Sequence, residues 1–240
     1  GNISSTGNLN VDEFRLGVPY LNTLYSFNST VPFDFSKDKI SIQNVVFNDA
    51  TNHDGTINGV LAHKSFANWG LDMRINAQNL EVLNTNFSET ALYYGTAFFT
   101  GDAHLHGPFS NMEIDVIGKT AEGTSLFIPI QYDTAIGDVS FINFINKEEL
   151  NPSENLTRNT VKGLQMNFDL DVTPEAEVEI VVDPANKSFL RGIGAGNLLL
   201  EIDTSGSFAM WGDFIAFEGI YNFKNLGLID KTFRLRPGGT

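Results

Sequence analysis

Apolar and polar residues alternate along most of this chain, and this two-residue period predicts β-strands. The clearest run spans residues 164–172, where five apolar side chains alternate with four polar ones. Because successive side chains of a strand point to opposite faces, the run predicts a half-buried strand. The same period returns after a turn predicted at Thr173-Pro174, in residues 178–182, 198–202 and 208–216. The second half of the chain is therefore predicted to be a series of strands.

The apolar positions of these four runs are the candidate functional residues. We expect them to share one face of a sheet. A one-residue slip of any strand would turn all of its apolar side chains to the other face, so the apolar pattern itself specifies the register. The intervening carboxylates, such as Asp169, Glu179 and Glu201, are predicted to lie on a solvated outer face. The apolar candidates are Leu164, Met166, Phe168, Leu170, Val178, Ile180, Val182, Leu198, Leu200, Ile202, Phe208, Met210 and Phe214.

The first half of the chain shows a rougher version of the same pattern. Alternating runs at residues 71–77, 112–116 and 126–130 predict further strands. Turns are predicted at Asp54-Gly55 and Glu122-Gly123, since such dipeptides favour tight turns between strands. The whole chain is thus predicted to be all-β.

One stretch has a helical period instead. In Ser140–Leu150 the apolar side chains are spaced three and four residues apart, which predicts at most one short helix. The polar stretch Asn151–Asn159 is predicted to be a connection. We therefore divide the chain into a β-rich segment at residues 1–150 and a C-terminal β segment at residues 151–240, and expect both to belong to one continuous architecture.

A sheet with an apolar face has to cover that face. A second sheet does so in a sandwich or a closed barrel, and a strongly curved sheet that folds over itself does so equally well. Periodicity alone does not separate these architectures. The apolar face is accordingly either an ordinary core or a groove that faces lipid.

Composition narrows the classes of function. Hydrophobic residues make up 42% of the 240 residues and charged residues 18%, which is below the roughly 25% of an average soluble domain. The net charge of −14 and the lack of clustered Lys and Arg exclude nucleic-acid binding and argue against adsorption to an anionic membrane surface. The absence of cysteine excludes disulfides and thiolate chemistry.

Two motifs resemble a metal site and a nucleotide-binding loop, but the residues around them do not fit either kind of site. His104 and His106 have the spacing that puts two imidazoles on one face of a strand, as some metal sites require. No recognisable spacing supplies further ligands, and Gly107-Pro108 ends the strand, so we predict polar-face histidines and no metal site. The glycines of residues 192–196 resemble a nucleotide-binding loop, but a strand pattern follows them where a helix is required. These glycines instead predict close packing or a bend.

Enzyme signatures are missing from the sequence. Neither a Gly-x-Ser-x-Gly elbow nor a His-Glu-x-x-His motif occurs, so we expect no enzyme activity and no cofactor. A jelly-roll domain that stacks sugars on Trp69 or Trp211 remains an alternative, although neither tryptophan belongs to an aromatic cluster in the sequence.

The last quarter of the chain carries an ordered series of glycine, apolar and aromatic positions. The series consists of Gly192-x-Gly-x-Gly196, Leu198-x-Leu-x-Ile202-Asp203-Thr204, Phe208-x-Met210-x-Gly212-Asp213, Gly219-x-Tyr221-x-Phe223, Lys231-x-Phe233 and the closing Pro237-Gly238-Gly239-Thr240. It resembles the C-terminal region of the bacterial TamB family, in its Bacteroidota-type form. The upstream part resembles the same family less sharply. In the family a further strand follows the Gly-Gly-Thr, so the chain is expected to be a segment of a longer protein.

The resemblance implies both an architecture and a place in the cell. TamB-like proteins are anchored in the inner membrane and reach across the periplasm, so the chain is expected in the periplasm, with its anchor outside this segment. Their β-structure is an elongated, strongly curved, U-shaped sheet, or β-taco, with an apolar concave face. The apolar candidates would then line a groove.

The resemblance also implies a function. TamB-like proteins are associated with phospholipid movement between the inner and outer membranes, so the expected partners include phospholipid acyl chains. The second expected partner is an outer-membrane barrel protein of the TamA or BamA-like class. The alternative function is therefore a docking module that binds this barrel and assists outer-membrane protein assembly.

Overall fold

The computed structural model describes residues 6–88, 93–129, 163–183, 186–203, 208–225 and 228–237, and these are all-β, as the sequence predicts. The predicted helix at Ser140–Leu150 and the connection at Asn151–Asn159 lie outside the described residues. Among the described residues no helix has the length and apolar character needed to span a membrane. The strands are β1 (Gly7–Val11), β2 (Phe14–Val18), β3 (Thr23–Phe27), β4 (Val31–Ser36), β5 (Lys39–Asn48), β6 (Asp54–Lys64), β7 (Ala67–Thr85), β8 (Tyr94–Pro108), β9 (Met112–Thr120), β10 (Ser125–Pro129), β11 (Leu164–Val172), β12 (Glu177–Asp183), β13 (Ser188–Asp203), β14 (Phe208–Asn225) and β15 (Ile229–Arg234).

All fifteen strands belong to one sheet. From β4 to β8 each strand pairs antiparallel with the next, which is the pattern of short hairpin connections. At the other end β13, β14 and β15 also follow one another antiparallel. Strands from both predicted segments of the chain meet in the middle of the sheet, where β9 and β10 run parallel to β11 and β12.

The middle of the sheet contains strands laid end to end. β7 pairs with β8 along its length, so β9 and β10 share the opposite edge of β8. β11 and β12 share one edge of β13 in the same way, because β14 occupies the other edge. The pairings thus close a small ring of six strands, β8, β10, β12, β13, β11 and β9, from which the remaining strands extend.

A line of irregular pairing, here called the bulge line, crosses the sheet from β7 to β14. At each of its points the chain, either within a strand or between two strands laid end to end, carries more residues than the strand beside it, similar to a β-bulge. For example, the four residues 121–124 lie opposite only two residues of β8. The bulge line comprises residues 78–79, 121–124, 173–176 and Phe217.

Threonine hydroxyls satisfy backbone groups along the bulge line. The backbone N–H of Phe98 donates to Thr124 Oγ1 at 3.0 Å, and the N–H of Thr173 donates to Thr120 Oγ1 at 2.9 Å. A buried N–H without an acceptor is costly, so these bonds replace ladder bonds that the extra residues interrupt. The irregular pairing is therefore a stabilised feature of the sheet.

The β2–β3 hairpin packs onto one end of the sheet, where it contributes to a buried hydrophobic core. The rings of Phe14 and Phe27 stack with their centroids 4.3 Å apart, and Phe27 in turn packs against Phe47 of β5 at 5.6 Å. The buried cluster beneath the hairpin consists of Phe27, Val31, Val45, Phe47, Ile57, Ala77, Leu80 and Phe99. Aromatic rings bury large apolar areas, so this cluster is expected to supply much of the stability of the N-terminal part.

Asparagine side chains bridge carboxylates on the polar face of the sheet. Asn167 Nδ2 donates to Asp115 Oδ1 at 2.9 Å, and Asn197 Nδ2 donates to Asp169 Oδ1 at 3.0 Å. An amide supplies a donor without adding charge, so these bonds separate carboxylates that would otherwise repel one another. The asparagine-rich composition thus explains how a chain with so many acidic residues forms this face.

One of the predicted outer-face carboxylates is buried. Glu179 is 8% exposed, whereas Asp169 and Glu201 are exposed as the sequence predicts. The carboxylate of Glu179 pairs with Arg191 Nη2 at 2.5 Å, and Phe127 lies opposite it on the neighbouring strand. Alternation assigned Glu179 to the correct face but did not reveal these neighbours, which shield it from water.

The turn predicted at Asp54-Gly55 is wrong, because both residues lie in β6. The turn occupies residues 49–53 instead and is organised by Asp49, whose Oδ1 accepts the backbone N–H groups of Thr51 at 2.8 Å and His53 at 2.9 Å. A carboxylate that bonds to the backbone of the residues after it mimics a backbone turn. The turn predicted at Glu122-Gly123 is confirmed.

Two buried carboxylates beside this turn carry opposite pKa shifts. Burial by itself would raise the pKa of Asp49, but the N–H groups of Glu81 and His53 donate to its carboxylate and lower the pKa below the usual value. Burial raises the pKa of Glu81, and the adjacent charge of Asp49 raises it further. The side chain of Glu81 accepts a hydrogen bond from Asn84 Nδ2 at 3.0 Å. The pKa values of these two neighbouring carboxylates are thus shifted in opposite directions.

We expect Glu81→Gln to stabilise the fold at pH 7 by about 1 kcal/mol, because it removes a partly desolvated charge and keeps the oxygen that Asn84 contacts. A group whose pKa is raised on folding contributes stability below its ordinary value of 4.5 and loses that contribution as the pH rises through the raised value. The gain should therefore be small at pH 4 and larger at pH 7. Urea unfolding across this range measures it, with exposed Glu122→Gln as the control for lost charge. A stability gain that does not change with pH would contradict the raised pKa of Glu81.

Candidate functional site

The strand register aligns apolar residues across much of the sheet. Residues that pair directly across neighbouring strands point to the same face, so a chain of such pairs defines a row. The central row, which crosses eight strands, consists of Val45, Ile57, Ile75, Ala103, Val116, Phe168, Leu200 and Met210. Every member of this row is apolar.

Parallel rows of the same face lie on both sides of the central row. The row on one side consists of Ile42, Gly59, Met73, Leu105, Ile114, Met166 and Ile202, and the backbone of Phe208 pairs with Ile202 at its end. The row on the other side continues from Phe47 through several glycines to Leu170 and Leu198. Beyond the bulge line, Ile180 lies between Ile128 and Leu190.

The sequence-predicted residues occupy these rows. Leu164 pairs with Met112, Val178 pairs with Leu126, and Phe214 pairs with Gly196. The remaining candidates lie in the rows given above, except Val182, which falls where the register of β12 with β13 shifts. The structure adds positions from the first half of the chain that were not among the candidates, namely Val45, Ile57, Ile75, Ala103, Val116, Leu105 and Ile114. Their alternation is visible in the sequence, but several lie beside bulges that blur it.

Burial changes along the central row. Val45 and Ile57 at its N-terminal end are only 5% and 6% exposed, because the β2–β3 hairpin packs over them. The five residues from Ile75 to Leu200 are half-buried. Met210 at the far end is 42% exposed. The row thus runs from a closed core to a surface that water reaches.

Glycines let strands and rings approach closely beside these rows. A Cβ at Gly194 would lie 2.3 Å from the carbonyl oxygen of Ile215 and 2.6 Å from the ring of Phe214. Both distances are far inside van der Waals contact, so only glycine fits. The close packing that the sequence predicts for residues 192–196 is thereby confirmed, and the segment lies within strand β13.

A separate polar depression of about 520 Å³ lies near the bulge line. It is lined by amide, imidazole and hydroxyl groups, including those of His53, Asn79 and Thr100. The imidazole of His53 contacts Asp49, Thr51 and Asn79, so it serves the turn at residues 49–53. Apart from Ala77 and Gly101, its lining residues carry polar side chains, so it differs from the apolar rows.

Comparison with known proteins assigns the chain to a family. The family model described as the TamB C-terminal domain matches residues 43–240, which is most of the chain. Searches of the curated proteins and of the solved structures found no match. The match begins within β5 and includes every residue of the central row, from Val45 onward. The chain therefore belongs to the TamB family, with residues 43–240 matching its C-terminal domain.

Proposed function

We propose that this segment carries phospholipid acyl chains along an apolar groove between the inner and outer membranes. TamB-family membership supports a role in the translocation and assembly module, in outer-membrane biogenesis and in the cell envelope. The observation that carries the proposal is the central row, whose residues are apolar across eight strands and partly exposed over much of its length. A closed core would bury such residues instead.

The proposed groove is a sheet bent along the bulge line. Bulges bend a strand and increase its twist locally. Aligned bulges from β7 to β14 would bend successive strands at a similar level and turn the sheet into a U with a wall on each side. The central row would lie on one wall, and Ile128, Ile180 and Leu190 on the other. This is the curved form that the family resemblance implies.

The dimensions of the central row suit an acyl chain. Eight strands about 4.8 Å apart give the row a length of roughly 34 Å. One acyl chain spans about half of the roughly 30 Å hydrocarbon core of a bilayer, or about 15 Å. Each CH₂ group removed from water contributes about 0.8 kcal/mol, and a smooth apolar wall supplies this at every position. A conducting surface needs such uniform binding, so it requires no catalytic group and no cofactor.

The test is organic extraction of the natively purified chain followed by mass spectrometry of the extract. We expect phospholipid to co-purify at a level close to one molecule per chain. After a detergent wash has removed this lipid, the chain should bind phospholipid again from added vesicles. Such rebinding distinguishes a lipid-binding groove from phospholipid retained incidentally during purification. A folded chain that holds no phospholipid after either treatment contradicts the proposal.

The outer face of β13 and β14 favours docking to a barrel partner as a second candidate function. Leu199 and Trp211 pair directly across these strands, and both are exposed, as are Ile215 and Phe217. Exposed apolar residues grouped in this way are typical of protein-binding surfaces. Among the described residues β15 pairs only with β14, so its other edge could accept a partner strand. Capture of a purified BamA-like barrel by lipid-free chain, lost in Trp211→Asp, would support docking.

Both functions are proposed for the periplasm, within a protein anchored in the inner membrane outside this segment. The two candidates use opposite faces of the sheet. Met210 belongs to the central row, whereas Trp211 points away from it. Variants at these consecutive positions therefore separate lipid binding from partner binding.

A further inference from the structure

Two histidines and two carboxylates converge on the outer face of β7, β8 and β9. His104 Nε2 lies 2.8 Å from Asp72 Oδ1, and His106 Nε2 lies 2.9 Å from Asp115 Oδ2. The imidazole centroids are 4.4 Å apart. One ligand atom each from His104, His106 and Asp115 lie within 4.8 Å of one another.

We propose that these side chains form a binding site for a divalent transition-metal ion of the zinc type, with Asp72 as a fourth ligand. Zinc sites with catalytic or structural roles use three or four nitrogen, oxygen or sulfur ligands. Two imidazoles and two carboxylates meet that requirement. Imidazole favours zinc, copper and nickel, whereas magnesium and calcium prefer oxygen ligands. This proposal replaces the sequence-based expectation that the two histidines serve no metal.

The strand register explains why the ligands lie on one side of the sheet. Asp72 pairs directly with His106, and His104 pairs directly with Asp115. Residues that pair in this way project from the same face, and His104 and His106 share it because they are two positions apart. The four side chains therefore form a zigzag across three strands, with the two histidines on β8 and one carboxylate on the strand at each side. The intervening Leu105 belongs to the apolar rows of the opposite face.

Modest side-chain movement would bring the ligands to an ion. Ligand atoms at zinc distances of about 2.0 Å lie roughly 3.3 Å apart in a tetrahedral arrangement. The two His–Asp contacts are slightly shorter than this, and the ligand atoms of His104, His106 and Asp115 all lie within 4.8 Å of one another. Movements of about an ångström in the half-buried side chains of His104, His106 and Asp115 would bring their ligand atoms to these distances with the backbone in place.

The neighbouring side chains prepare the carboxylate for this role. Asn167 Nδ2 donates to Asp115 Oδ1 at 2.9 Å, which holds the carboxylate and leaves Oδ2 directed at His106. Partners of this kind orient metal ligands in known sites. The Asn167 bond and the contact with His106 also lower the pKa of Asp115 below its usual value.

The local charge also favours a cation. Asp102 and Glu113 flank the group on the same face, in addition to Asp72 and Asp115. Arg74 pairs directly with His104 and opposes a bound cation, but it is outnumbered by these carboxylates. A bound ion would link β7, β8 and β9 on the face opposite the central row. It would thus stiffen one wall of the sheet without entering the proposed groove.

Calorimetric titration of the metal-free chain with Zn²⁺ tests the site directly. We expect one saturable site per chain, a higher Tm with Zn²⁺, and no displacement by excess Mg²⁺. Asp115→Asn and His106→Ala should each weaken binding by about tenfold or more, since loss of even an indirect partner costs 10- to 100-fold. Absence of saturable binding by the unaltered chain overturns the proposal without relying on any variant.

His53→Gln is the matched control. His53 also contacts a carboxylate, with Nδ1 3.2 Å from Asp49 Oδ2, but it has no second histidine beside it in the described structure. Its replacement should leave zinc affinity unchanged within about twofold, which is below the effect of losing an indirect partner. Equal losses in the His53 and His106 variants would overturn the assignment, because any His–carboxylate pair would then account for the binding.

Discussion

Met210→Asp is expected to reduce co-purifying phospholipid at least about tenfold, which corresponds to about 1.4 kcal/mol of lost binding. The substitution places a charge in the central row, beside Leu200 and near the half-buried Phe168. An acyl chain that lies against this unpaired carboxylate removes water from the carboxylate. The lost hydration of the charge costs several kcal/mol. Phe168→Asp, in the middle of the row, should have the same effect or a larger one. Organic extraction and mass spectrometry of matched preparations measure it.

Trp211→Asp is the control for this result. Met210 and Trp211 are consecutive residues of β14, and their exposed fractions are similar, at 42% and 51%. The two substitutions therefore introduce the same charge into nearly equal environments for folding, but on opposite faces of the sheet. Trp211→Asp should retain lipid and lose any barrel partner that docks on the outer face. Equal lipid loss in both variants, with both folded, would rule out the central row as the binding surface.

Gly212→Val is expected to destabilise the fold by about 3–5 kcal/mol, a range reached only by the most disruptive substitutions. Gly212 has a φ of +134°, a conformation that residues with a Cβ rarely adopt. A Cβ at this position would also lie 2.0 Å from the carbonyl oxygen of Asn197 on β13. The backbone of one strand has to move to remove the overlap, and this breaks the register of β13 with β14. Urea unfolding measures the loss.

Gly17→Val is the matched control for the glycine prediction. Gly17 also lies in a strand, but its nearest neighbour in the direction of a Cβ is Leu24 Cδ1 at 4.0 Å. Valine suits an exposed strand position, so its effect should stay within about 0.5 kcal/mol. Similar unfolding midpoints for the two valine variants would show that the close contact of β13 and β14 does not limit stability.

The bounds of individual strands were largely predictable from the sequence. The run at residues 164–172 coincides with β11, and the run at 178–182 lies within β12. The turn after β11 falls at Thr173-Pro174, as predicted. These features depend on local alternation and on proline, which act within a few residues. The error at Asp54-Gly55 arose because the side chain of Asp49 organises that turn from outside the dipeptide.

The extent of the apolar rows was not predictable in the same way. Ile75 and Val116 belong to alternating runs, but their alignment with Phe168 depends on β9 lying beside β11. Those strands are separated by more than forty residues of chain, and pairing over such distances leaves no local signal. Bulges add further uncertainty, because each one shifts the register for the rest of the strand.

The sequence by itself determined that the described part of the chain is all-β, which residues share a face within each strand, and that the chain resembles the TamB family. The two-residue period accounts for the first two, because it is a property of one strand and needs no partner. Only the tertiary structure decided which strands are neighbours. That decision joined the apolar runs into rows, buried Glu179 beside Arg191, and brought Asp72 and Asp115 to the two histidines of β8. Each of these arrangements arises from contacts between residues far apart in the chain, which alternation does not specify.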